Sequence, residues 1–149
     1  MNDVFTQQFL SRASIVAAIV FAYCAWMVYS LNRDARPNRV AVVFNVLFAA
    51  WAGAASFWYG ADDPERALEL YRAFSWTWAL FPPLILHFSL SVTDNPVLAG
   101  RFGRTLLIAL YAPGAALCFL TPIYVIAEPV YRGGYWMLAV NANAAYAFF

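Results

Sequence analysis

Lysine is absent from the 149-residue chain; all nine basic residues are arginine. These residues therefore supply no Schiff-base lysine, no P-loop lysine and no lysine general base. One histidine (His87) and two cysteines (Cys24, Cys118) leave no cluster with metal-ligand spacing, so neither a metal nor a cofactor is expected. Neither G-x-S-x-G nor G-x-G-x-x-G occurs, and no paired acidic motif is present. No catalytic residue is expected in this stretch. Charge is scarce too, at 11% against about 25% in an ordinary soluble domain. A net charge of +1 creates no field to gather nucleic acid.

Apolar surface is what the chain has in excess, with 64% hydrophobic and 19% aromatic residues. That excludes disorder and leaves too little polar surface to coat a soluble globule. The expected fold is all-α: a polytopic helical membrane protein with four complete transmembrane helices and the start of a fifth. The first run, Ala13 to Leu31, carries no charge and is near the ~20 residues that cross a bilayer core. It exceeds the apolar core of a signal peptide and no A-x-A site follows it, which favours a retained span. The second runs from Val40 to Tyr59, with small residues Ala49, Ala50, Gly53 and Ala54 that permit close helix approach. Asp63 as N-cap, Pro64 in the first turn and Glu65 behind it predict a helix over 64–92. At 1.5 Å per residue it is about 43 Å long, so Arg66, Glu69 and Arg72 stand outside the hydrocarbon and 73–92 crosses. A fourth span is expected over 105–127. Gly133-Gly134 makes a turn among interfacial aromatics, and a fifth span begins at 137 and is still running at Phe149. The whole is expected to be one domain, the front part of a longer protein.

Arginines give an orientation. Arg33, Arg36, Arg39, Arg101 and Arg104 follow the first and third spans, while Arg12, Arg66, Arg72 and Arg132 lie on the other side. Cytoplasmic loops carry the basic excess, which puts the N-terminus outside.

The chemistry-bearing positions lie mostly in the third span. Pro82 and Pro83 remove two amide donors, leaving the carbonyls of Trp78 and Ala79 without helical partners and bending the helix. Either a fixed kink or a hinge and ligand-pocket wall fits that pattern. His87 lies one turn on and is read as a neutral imidazole bonded to a neighbouring helix, since no span carries a buried carboxylate for a proton relay. Asn45, Asn141 and Asn143 bond between helices or line a polar pocket. Cys24 and Cys118 sit at different depths and are read as small buried thiols.

Asn38-Arg39, then Phe44 and Trp51, then Pro82-Pro83 with Leu86, Phe88 and Thr93, form a pattern that resembles the N-terminal seven-transmembrane sensor region of bacterial histidine kinases and related diguanylate cyclases. The likeness runs from about Ala13 to Phe149, roughly the first four and a half of seven helices. It implies a multi-pass protein of the bacterial inner membrane that signals to a C-terminal cytoplasmic output domain and dimerises through cytoplasmic parts. It also implies a pocket or hinge around Trp78, Pro82, Pro83, His87, Asn45 and Trp51 that detects a small-molecule ligand or the state of the bilayer. No phospho-accepting histidine motif is present, since His87 lies inside a span. Two other classes stay open: a small stand-alone membrane ligand-binding protein of the tryptophan-rich sensory type, whose Pro-x-Trp-x-Pro-Pro pattern is missing here, and a structural subunit of a membrane complex.

Overall fold

Two uncharged apolar runs separated by a polar turn pair as a helical hairpin. The computed structural model describes residues 2–98, 100–120, 126–132 and 135–140. Helix α1 (Asn2–Leu31) and helix α2 (Arg36–Tyr59) form that pair. Asn32 closes the turn: its side-chain oxygen accepts from the amides of Asp34 (3.1 Å) and Ala35 (3.2 Å), and the Asn38 amide donates to its carbonyl at 2.8 Å. Asn38 of the Asn-Arg pair thus holds a loop together. There follow α3 (Pro64–Phe74), α4 (Trp76–Ala79), α5 (Phe81–Val92), a 3-10 turn (Pro96–Leu98), α6 (Gly100–Leu120), and an antiparallel hairpin of β1 (Ile126–Arg132) and β2 (Tyr135–Val140).

Among the described residues, three helical segments are long and apolar enough to cross a membrane: Phe5–Leu31, Arg36–Tyr59 and Gly100–Leu120. Their outward faces leave Ile19 63%, Ile108 70% and Phe119 77% exposed. Soluble monomers do not expose apolar surface on this scale, and lipid is the solvent such faces require. The chain is a mostly helical membrane protein.

The expected continuous helix over 64–92 is instead three pieces. Its start is as the sequence predicts: Asp63 is extended (φ −135°, ψ 156°) and its carboxylate accepts from the Arg66 amide at 2.8 Å, with Pro64 in the first turn. Replacing Asp63 with Ala should cost about 1 kcal/mol and speed amide exchange in the first turn of α3, read by hydrogen–deuterium exchange. The first interruption is at Ser75, whose hydroxyl donates to the Arg72 carbonyl at 2.9 Å. Thr77 does the same to Phe74 at 2.7 Å. Both hydroxyls are sealed inside (1% and 0% exposed), so these local bonds win over a continuous ladder. The second interruption is at Leu80 (φ −90°, ψ −10°), after which α5 begins with Pro82 and Pro83 in its first turn. There a missing amide donor is harmless. The bend expected inside one helix is therefore a break between two, and no helix of this stretch is long enough to cross alone.

A second correction concerns the C-terminal part. Helix α6 is described to Leu120 and residues 121–125 lie outside the described residues, but Ile126 and Ala127 already belong to β1, so the expected helix does not reach Ala127. Met137, expected to open a fifth span, lies in β2 and pairs with Val130 of β1. Glu128, Pro129 and Arg132 interrupt the apolar run, and Pro129 denies a helix one bond, while Ile, Val, Tyr and Trp favour a pleated surface. The Gly133-Gly134 turn and residues 141–149 of the expected fifth span lie outside the described residues.

Candidate functional site

An α-helix can end inside an apolar layer only if neighbours cover its orphaned backbone groups. Helix α6 does this for the α4–α5 break. Its own apolar run contains Pro113-Gly114, and Pro113 lacks the amide that would bond the Ala109 carbonyl. Gly114 is buried against the break: a Cβ there would stand 3.1 Å from the Ala79 carbonyl oxygen and 3.2 Å from the Pro83 ring. One turn on, the Cys118 thiol donates to the Trp76 carbonyl across 3.6 Å. The α4–α5 break thus packs directly against the Pro113-Gly114 stretch of the continuous helix α6, with the Pro83 ring and the Leu80 side chain at the contact.

Aromatic rings tie this break to the rest of the bundle. Phe81, immediately before the prolines, stacks on Phe48 of α2 with centroids 4.3 Å apart and planes 18° from parallel. Phe48 stacks in turn on Phe21 of α1 at 4.9 Å, and Phe44 meets Phe88 of α5 at 6.5 Å. Phe44 and Phe88, both part of the sequence pattern, are therefore packed together. Through Phe48 and Phe21 the residue that follows the break is packed against α2 and, through it, α1.

Toward the arginine-bearing loops the three helices α2, α5 and α6 line an open groove of about 300 Å³, bounded by Arg36, Arg39, Val43, Leu84, His87 and Tyr111 among others. His87 Nδ1 lies 3.1 Å from the Tyr111 hydroxyl, with the rings edge-to-face. This is the helix-to-helix bond expected of His87. Tyr111→Phe should lower stability by about 1 kcal/mol in a detergent thermal melt, with helix content retained.

The six candidates divide. Pro83 and His87 belong to the α5–α6 face, and Pro82 shares their helix but is exposed. Trp78 on α4 is 39% exposed. Asn45 donates to the Ala41 carbonyl of its own helix at 2.8 Å, so its amide serves no bond between helices. Trp51 lies toward the opposite end of α2, packed on the cluster of Ala54, Ala55 and Trp58, where Trp58 stacks on Tyr71 of α3 at 4.4 Å. The hairpin docks there. The Trp136 indole donates to the Ala61 carbonyl (3.0 Å) and the Tyr71 hydroxyl to the Trp136 carbonyl (3.2 Å). Burial, with the phenols of Tyr59 and Tyr135 nearby, pushes the Tyr71 phenol well above its usual range, so it stays a donor at any physiological pH.

Sequence reasoning missed Tyr111, Phe81 and Gly114. A Pro-Gly pair inside an apolar run was the available signal for the last. Among the described residues no three His, Cys, Asp or Glu side chains gather as metal ligands, and both cysteines are free and half-buried. No family model matches the chain, and neither a curated protein nor a solved structure matches it.

Proposed function

We propose that this chain is the membrane-embedded signal-input module of a bacterial sensor of histidine kinase type. It detects a small ligand or the state of the bilayer and passes the signal to a cytoplasmic output domain. The observation that carries this reading is the α4–α5 break at Leu80, packed against Gly114 of the continuous helix α6, with Phe81 stacked on Phe48. Hinges in switching proteins sit at element-terminal residues, and Leu80 between α4 and α5 is such a position.

In this reading the chain crosses the membrane four times, α4 and α5 together forming the third crossing, and a fifth crossing follows the hairpin. The Arg36 guanidinium donates to the Leu98 carbonyl at 3.3 Å, so the α1–α2 and α5–α6 loops share one end, in keeping with a common cytoplasmic side. The N-terminus and the hairpin then lie outside the inner membrane, and dimerisation belongs to the cytoplasmic parts. The test is the coding sequence that follows the codon for Phe149. Two further apolar spans, a linker helix and a kinase- or cyclase-type domain are expected. A stop codon there, or directly after a fifth span, would overturn the reading in favour of a stand-alone binding protein.

A further inference from the structure

The arginine-bearing end holds a second cavity, of about 420 Å³, lined by Arg36, Leu98, Arg101, Gly103, Arg104 and Leu107 among others. It adjoins the apolar cavity at His87, with Arg36 and Leu107 common to both. Three arginines line one hollow, and Val40, Val43, Leu84 and Leu107 line the other together with Arg36, Arg39, His87 and Tyr111. Among the described residues none of Arg36, Arg39, Arg101 and Arg104 makes an ion pair. The acids of this end, Asp34 and Asp94, leave them unneutralised, although Asp94 shares a neighbouring hollow with Arg36.

The floor of the arginine hollow is tightly packed: a Cβ at Gly103 would collide with the Leu98 carbonyl, so only glycine lets the 3-10 turn sit on α6. Gly100 supports the same corner with φ +67°.

We propose that the two cavities together form a binding site for an anionic phospholipid. The phosphate lies among Arg36, Arg101 and Arg104, and an acyl chain runs between α2 and α6 along Val40, Val43 and Leu107. Guanidinium forks match phosphate oxygens. Basic pockets between membrane helices at the anionic leaflet are where such headgroups gain most. The proposal needs only membrane insertion and does not depend on signalling.

The purified chain in non-ionic detergent is titrated with phosphatidylglycerol or phosphatidylcholine, and bound lipid is counted by native mass spectrometry. Phosphatidylglycerol should bind about tenfold or more tightly than phosphatidylcholine. Arg101→Gln with Arg104→Gln should weaken phosphatidylglycerol about thirtyfold, roughly fivefold per arginine, and leave phosphatidylcholine unchanged. Arg66→Gln with Arg72→Gln, at the other end, should change neither. Val43→Trp, which fills the apolar groove, should weaken phosphatidylglycerol. Equal binding of the two lipids, full binding by the Arg101/Arg104 variant, or an equal loss in the Arg66/Arg72 variant would overturn the proposal. So would displacement of the lipid by inorganic phosphate at matching concentration, which would make free phosphate the ligand.

Discussion

Gly114→Leu should destabilise the bundle by about 2 kcal/mol and lift α6 off the α4–α5 break. Even the first added carbon would stand 3.1 Å from the Ala79 carbonyl oxygen and 3.2 Å from Pro83, and the Leu80 side chain is 3.6 Å away. Backbone oxygen and a proline ring cannot turn aside, so the helices must part. Between membrane helices, where lipid gives no hydrophobic drive for association, such contact is what holds the pair. Gly114→Ala, needing a shift of only a few tenths of an ångström, should lose clearly less. The checks are the melting temperature in detergent and the rate at which Cys118 reacts with a maleimide. Its thiol is held on the Trp76 carbonyl in the intact bundle and should react faster once α6 moves. An unchanged melt and an unchanged Cys118 rate in the Leu variant would show that α6 does not touch the α4–α5 break.

Pro82→Ala with Pro83→Ala should fuse α4 and α5. The substitution returns amide donors to the carbonyls of Trp78 and Ala79 and removes the rings that bar a continuing helix. Alanine, the strongest helix former, favours continuity at both positions. With Cys24 and Cys118 changed to Ser, the latter keeping a donor for Trp76, spin labels at Arg66 and Ser91 report the span from α3 to α5. A helix straightened over that interval approaches about 38 Å. The variant's distance distribution should shift toward that limit and narrow, while the native chain stays shorter because of its breaks at Ser75 and Leu80. Identical distributions would mean that packing, not proline, ends α4.

Much of the helical frame was legible because its causes are local. The uncharged run before Leu31, the Asn-rich turn after it and the Asp63-Pro64 helix start each act within a few residues. The two prolines marked the place of the break for the same reason. What stayed hidden depends on partners distant in sequence. Nothing near Ser75 or Thr77 announces that their hydroxyls will be sealed from solvent and so return to their own helix. Gly114 acquires its meaning only through the register that sets it against Ala79 and Pro83. Asn45, read as a bridging group, satisfies itself on Ala41. The arginines were informative as a charge count, yet their grouping around one hollow needs the contact of Arg36 with Leu98 across 62 positions. For the hairpin, an apolar run has no periodicity that separates a strand from a buried helix, and Pro129 with Arg132 was the cue left unused.

The proposed passage of a signal through the α4–α5 break is tested most directly by the basal autophosphorylation rate of the sensor kinase proposed to contain this chain, carrying Pro82→Ala and Pro83→Ala. Fusing α4 with α5 while membrane insertion stays intact should change that rate by about fivefold or more. A rate equal to the unsubstituted protein's, in a variant whose α3–α5 distance has lengthened, would contradict a signalling role for the break.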